Sequence, residues 1–197
     1  MPIDRPHVIV LGGPNGAGKS TAAADLLRGA LAVDEFVNAD TVAAGLSAFN
    51  PDRAALQAGR VMLARLRELA GKRRDFAFEI TLASRTFAPW IGQLAESGYA
   101  FHLVFLWLSS PDLAVARVAE RVRSGGHPVP EEVVRRRYRA GLANFFGLSR
   151  PLATPWRFSD NSLSTRPRLV AVGSVPDDET VLDPIMWAEV LAEVQGA

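Results

Sequence analysis

Residues 12 to 21 read Gly-Gly-Pro-Asn-Gly-Ala-Gly-Lys-Ser-Thr, and no other stretch limits the fold as much. Gly13, Gly18, Lys19 and Ser20 fill the pattern G-x-x-x-x-G-K-[ST] of a phosphate-binding P-loop. The flanks agree. His7 to Leu11 is a short apolar run that predicts a buried strand, and Lys19 to Leu31, rich in Ala and Leu, predicts a helix. Between strand and helix, glycines let the backbone turn tightly with its N–H groups aimed inward at a polyphosphate. The helix N-terminus adds partial positive charge. Gly13, Asn15, Gly16, Ala17, Gly18, Lys19, Ser20 and Thr21 are the expected cradle for ATP. In such a loop the lysine reaches the β- and γ-phosphates and the Ser20 hydroxyl ligates Mg²⁺. A glycine-rich turn that binds nothing is the alternative, and the matching flanks argue against it. The motif names a ligand and leaves open what is done with it.

The rest of the chain alternates strands with helices. Asp34 to Asp40 reads as a short strand ending in a carboxylate, followed by a helical start at Thr41 to Leu46. Asn50-Pro51-Asp52 gives a turn and cap signal, and Arg53 to about Ala70 has the apolar period of an amphipathic helix. Asp75 to Thr81 is a third strand, Ser84 to Gly98 a helix, and Phe101 to Leu108 an apolar central strand. Asp112 to Ser124 and Pro130 to about Phe146 are helices separated by Gly125-Gly126-His127-Pro128-Val129-Pro130. Trp156 to Ser159 and Arg168 to Val172 are strands joined through Asp160-Asn161-Ser162, and Pro184 to Val194 is a terminal helix. This alternation predicts a three-layer α/β/α domain with a mostly parallel sheet of five or six strands. Ligands on such sheets gather at the carboxyl ends of the strands, where Gly13, Asp40, Glu79 and Ser109 all fall.

Composition narrows the class. The 197 residues suffice for one domain with a substantial core, spanning 1–197. A net charge of +1 gives no global case for nucleic acid or an anionic membrane, and no apolar run is long enough to cross a bilayer. The chain has no cysteine, which excludes disulfides, thiolate metal sites and thiol catalysis. With no apolar leader at Met1 to His7, the expectation is a cytoplasmic protein.

Two acids and a set of arginines are the remaining site candidates. Asp40 lies one strand beyond the P-loop, where a carboxylate can accept the proton of an attacking hydroxyl and hold it in line with the γ-phosphate. It can equally cap the helix beginning at Thr41, and the two roles can coexist. Glu79 ends the third strand, where P-loop proteins place an acid that holds Mg²⁺ through water; it could instead bind a substrate hydroxyl. A buried carboxylate at such a place needs a partner. Thr81, Ser84 and Arg85 follow on the next loop and are candidates for the acceptor pocket.

Between Arg117 and Arg139 stand seven arginines (117, 121, 123, 135, 136, 137 and 139) against Glu120, Glu131 and Glu132. Two basic helices around a glycine hinge suit a lid over about 112–146 that closes on a triphosphate, with arginine forks neutralising the transferring group. Arg121, Arg136 and Arg137 are the expected inward members. A solvated helix face explains some of the others. A nucleic-acid patch fits poorly, since no aromatics interleave. His7, His102 and His127 lack metal-ligand spacing. Asp160-Asn161-Ser162 reads as a base-contacting loop or an Asx-type turn, and Trp90, Trp107, Trp156 and Trp187 read mainly as core.

The P-loop together with Phe36-Val-Asn-Ala-Asp40, Phe78-Glu79 and the arginine-rich stretch from Arg117 to Tyr138 resembles the zeta-toxin family of P-loop kinases, in particular its small stand-alone members. The similarity runs to about Val172. It implies an ATP-dependent kinase that phosphorylates a sugar hydroxyl of UDP-N-acetylglucosamine. Lys19 matches the family's ATP-holding lysine, Asp40 its acceptor-activating aspartate and Glu79 its substrate-contacting acid; the lid arginines fall among Arg121, Arg123, Arg136 and Arg137. An antitoxin-like protein is an implied partner. Two other readings stand beside it: a nucleotide-dependent switch or ATPase that binds a protein partner, and a kinase acting on a nucleoside or a polynucleotide end.

Overall fold

The computed structural model describes residues 5–28, 33–47, 51–126, 128–163, 166–174 and 178–196, with 51–53 described by their backbone alone. Asn50 and His127 lie outside the described residues.

Strand β1 (His7–Gly12) runs into the glycine loop and helix α1 (Lys19–Arg28). It is flanked by two parallel partners, β3 (Phe76–Ile80) and β4 (Ala100–Trp107), with Val8 opposite Phe76 and Phe101. Strand β2 (Phe36–Val37) adds outside β3, and β5 (Trp156–Asp160) outside β4, both parallel. Two antiparallel strands, β6 (Arg168–Ser174) and β7 (Asp178–Val181), complete the order β2-β3-β1-β4-β5-β6-β7. Among the described residues the sheet has seven strands rather than five or six. The additional strand, β7, is acidic and exposed along Asp178, Glu179 and Thr180, so it carries no apolar signal.

Helices α2 (Ala39–Leu46) and α3 (Pro51–Gly71) precede β3, and α4 (Phe87–Glu96) links β3 to β4. Helices α5 (Pro111–Arg123) and α6 (Glu131–Asn144) follow β4; a π-helical turn at Phe145–Ser149 then leads toward β5, and α7 (Pro184–Gln195) ends the fold. The expected strand from Asp34 to Asp40 is corrected: only Phe36 and Val37 pair, and Asp40 stands in the first turn of α2. Asn38 starts that helix because its Oδ1 accepts from the backbone N–H of Asp40 and Thr41.

The central strands are apolar on both faces because helices cover both. Val8, Val10, Phe76, Phe78, Phe101 and Phe105 are fully buried. Phe105, Phe145 and Phe158 pack ring on ring, and Trp187 of α7 joins them. The two arginine-bearing helices belong to this core: Val118 of α5 and Val134, Tyr138 and Leu142 of α6 are buried in it. Gly141 lets α6 lie directly on the loop after β3, since a Cβ there would strike the Thr81 carbonyl oxygen, and Asn144 Nδ2 donates to Leu82 O at 2.8 Å.

Candidate active site

The carboxyl ends of β1, β2 and β3 meet α3, α5 and α6 at a cavity of about 870 Å³. At its floor is the glycine loop. Gly13 has a φ of 142°, and a Cβ there would collide with Leu106 O, so the loop's first turn demands glycine. Lys19 is 6% exposed, and its Nζ donates to the carbonyls of Gly13 and Pro14, each at 2.9 Å. Burial pushes the Lys19 ammonium below the usual lysine range; Glu79 and Asp40 oppose this, while Arg121 and Arg137 add to it. A buried ammonium satisfied by two neutral carbonyls is electrostatically underpaired, which is the condition in which a phosphate oxygen is a better partner.

Opposite the loop, Ser20 Oγ donates to Glu79 Oε2 at 2.8 Å. Asn38 Nδ2 donates to the same Glu79 oxygen at 3.0 Å and to Ser20 Oγ at 3.3 Å. The buried Asn38 amide therefore serves four groups: with its oxygen it begins α2 beneath Asp40, and with its nitrogen it holds Glu79 and Ser20. Sequence reading treats Asn38 only as part of a motif; the cap pattern before Asp40 was the available signal. Two hard oxygens at hydrogen-bond separation beside a phosphate loop suit Mg²⁺, which keeps several waters. Among the described residues no three His, Cys, Asp or Glu groups converge as a metal cage, so phosphate and water would complete such a shell.

Asp40 is exposed and lines the cavity with Asn15, Gly16, Gly18, Lys19, Ser20, Thr21, Asn38 and Glu79. Thr81 and Ser84 join them, whereas Arg85, also exposed, does not. The arginines divide. Arg117, Arg121 and Arg137 line the cavity; Arg136 is exposed outside it. Arg137 Nη1 reaches Asn15 Oδ1 at 3.5 Å. Arg135 is taken by Asp112 and Glu131. Arg117 is a brace that sequence reading missed: it donates to the carbonyls of Asn161 at 2.7 Å and Ser162 at 2.8 Å, and to Gly16 O at 3.5 Å. Asn161 Nδ2 in turn donates to Ala17 O at 2.8 Å, tying the loop after β5 to the P-loop. That loop is also an Asx turn, with Ser162 N donating to Asp160 Oδ1.

At the opposite end of the sheet, His7 Nδ1 and His102 Nε2 lie 2.8 Å apart. Burial, then His7 and Arg157, lower the pKa of His102. No described helix is long and apolar enough to cross a membrane.

Known proteins share this architecture. The AAA domain family profile matches residues 8–145. An uncharacterized protein of Haemophilus influenzae is 29% identical over 126 residues, covering 64% of this chain and 88% of its own. Among solved structures, AvrRxo1-ORF1:-ORF2 with ATP superposes with a TM-score of 0.75 at 16% identity over 94% of this chain. The chain spans 63% of the length of that neighbour. The PezAT chromosomal toxin–antitoxin system of Streptococcus pneumoniae gives a TM-score of 0.64 at 13% identity, covering 98% of this chain and 86% of the other. A gluconokinase from Sinorhizobium meliloti gives 0.51 at 18% identity, covering 97% and 93%. The match over residues 8–145 makes the chain a member of the AAA domain family, with a P-loop kinase-like fold.

Proposed function

We propose that the protein is a Mg²⁺- and ATP-dependent small-molecule kinase that transfers the γ-phosphate to a hydroxyl acceptor. The observation that carries this reading is the convergence of Lys19, Ser20, Asp40 and Glu79 on one cavity whose wall extends beyond the P-loop to Leu56, Arg60 and Leu63 of α3 and to Thr81 and Ser84. Lys19 binds the β- and γ-phosphates, and Arg121 and Arg137 face the transferring group. Ser20 and Glu79 would hold the metal, which would neutralise phosphate charge there. Asp40 orients the acceptor hydroxyl and takes its proton as the new oxygen–phosphorus bond forms and the bond to the bridging oxygen breaks, leaving ADP. Thr81 and Ser84 supply hydroxyl contacts on the acceptor side. Because α6 is anchored in the core, closure of the 112–146 segment is confined to the corner around Gly125 and Gly126.

UDP-N-acetylglucosamine, the acceptor implied by the zeta-toxin resemblance, is the first compound to assay, and an antitoxin-like protein is the partner to seek. A metabolite extract incubated with protein and Mg-ATP, then read by mass spectrometry, tests the class. A single compound gaining one phosphate is the expected outcome. ADP release with no phosphorylated metabolite would leave the nucleotide-dependent switch as the better reading.

A further inference from the structure

Past Gly59, α3 carries Arg60, Arg65 and Arg67. Arg65 is paired, to Glu35 at 2.9 Å and to Glu68 at 2.9 Å. Arg60 and Arg67 make no ion pair or hydrogen bond with any described residue. They are nearly two helical turns apart, so they leave one face of α3 about 10 Å from each other along its axis. Arg60 belongs to the wall of the main cavity. Arg67 borders a recess of about 120 Å³ with Leu63, Thr86, Phe87 and Trp90. Leu63 and Phe87 belong to both walls, so the recess continues the cavity away from the P-loop.

A solvated helix face would account for two arginines, but not for their company. Leu63, between them, is 38% exposed, and Leu56, one turn before Arg60, is 81% exposed. Met62, Ile80 and Leu82 continue the apolar lining. This half of the cavity therefore presents apolar surface with one guanidinium on its wall and another on the adjoining recess, neither paired among the described residues. Apolar walls hold a ligand's body, and arginine forks fix a carboxylate or phosphate in a set orientation.

We propose that this face of α3 is a specificity subsite in which Arg60, with Arg67 as second cation, holds an anionic group on an acceptor whose middle is apolar. The word acceptor rests on the kinase reading above; the anion subsite itself does not. Arg60 stands on α3, whereas Lys19, Arg121 and Arg137 stand on α1, α5 and α6, so the acceptor's charge has a cation of its own and does not compete with the phosphates of ATP.

Calorimetry on protein saturated with Mg²⁺ and a non-hydrolysable ATP analogue tests it, since the P-loop cations are then occupied. The probes are 3-phenyllactate, benzyl phosphate and the neutral 3-phenyl-1,2-propanediol. One of the two anions should bind saturably, at least tenfold tighter than the diol, and which one binds separates a carboxylate acceptor from a phosphate ester. Arg60→Gln should weaken that binding about tenfold and Arg67→Gln about threefold, while Arg157→Gln, exposed on β5, should change nothing. Equal binding of diol and anions, an unaltered Arg60→Gln, or no saturable binding of either anion would overturn the subsite. Failure of the ATP analogue itself to bind would sink the kinase reading instead, and the Arg60→Gln comparison in nucleotide-free protein would still decide the subsite.

Discussion

Lys19 and its loop rest on the main core, whereas the later part of α2 and the beginning of α3 meet over a small cluster of alanines. On the phosphate side, β1 is buried between two neighbours, Arg117 and Asn161 brace the loop, and α6 is planted through Val134, Tyr138 and Leu142. On the side proposed for the acceptor, α2 meets α3 through Ala43, Ala54 and Ala58, with Val42 against them, apart from the rest of the core. A methyl group contributes only about 0.8 kcal/mol on burial, so three alanines hold the α2–α3 contact weakly by comparison with the aromatic core. The phosphate half is braced on several sides; in the half we propose to choose the acceptor, α3 is anchored through Met62, Leu66 and Leu69, and its contact with α2 is the lightly packed part. Low local stability of this kind marks elements that adjust on binding.

The largest expected effect tests whether Asp40 belongs to chemistry or to the helix. Asn38 is the residue that caps α2, so Asp40→Asn leaves the cap in place. The substitution should cut phosphoryl transfer roughly 10²- to 10⁴-fold with ATP affinity nearly unchanged. Steady-state kinetics beside calorimetric ATP titration read both quantities, and full activity would remove Asp40 from the mechanism. On the braced side, Lys19→Ala should lower turnover about 10²- to 10³-fold and weaken ATP binding as well. A variant that lost turnover alone would break the distinction between the two halves.

Asn38 joins the halves, and Asn38→Ala should show it in two readouts. Thermal unfolding should report a loss of about 1–2 kcal/mol, for the cap and for the orphaned Glu79 contact. The Mg²⁺ concentration needed for tight ATP-analogue binding should also rise several-fold, a change that a cap alone would not produce. Asn38→Ser should restore the cap's share of the stability and not the Mg²⁺ dependence.

The smallest effect concerns the anchorage of α6, next to Arg137. Tyr138 Oη lies 2.6 Å from Leu108 O and 3.2 Å from Glu193 Oε2. Burial raises the Glu193 carboxyl above the usual carboxylate range, and burial followed by Glu193 raises the Tyr138 phenol. A folded-state pKa above the unfolded one gives stability that is complete at low pH and is lost as pH rises through the folded value. Glu193→Gln keeps a carbonyl oxygen for the Tyr138 hydroxyl and carries no charge at any pH. Its melting temperature should therefore gain on the parent's by about 1–3 °C between pH 4 and pH 7. A difference independent of pH would show that Glu193 is not titrating in the fold.

Much of this was legible in the chain. The P-loop, the buried strands and the alternation with helices follow from glycine spacing and apolar period, and they place the phosphate side. Three things were not legible, each for a physical reason. Strand β7 has no apolar face, because it covers an edge rather than a core. Asp40 looked like a strand end because Phe36-Val37 is a strand of two residues, too short to leave a period. Consecutive arginines at 135, 136 and 137 turn through about 100° each, so sequence alone cannot say which one faces the loop; packing gives Arg135 to acids, Arg137 to Asn15 and Arg136 to solvent.

The position of β1 between β3 and β4 bears on how the protein is made. β1 leaves the ribosome before either partner: β3 follows roughly seventy residues later and β4 later still. At about 5–20 residues per second, that apolar strand waits several seconds with both edges open. Unpaired edges of this composition are what nascent-chain chaperones bind and what self-association exploits. Expression at lower temperature or with added chaperone should raise the yield of folded protein more than any change at the active site.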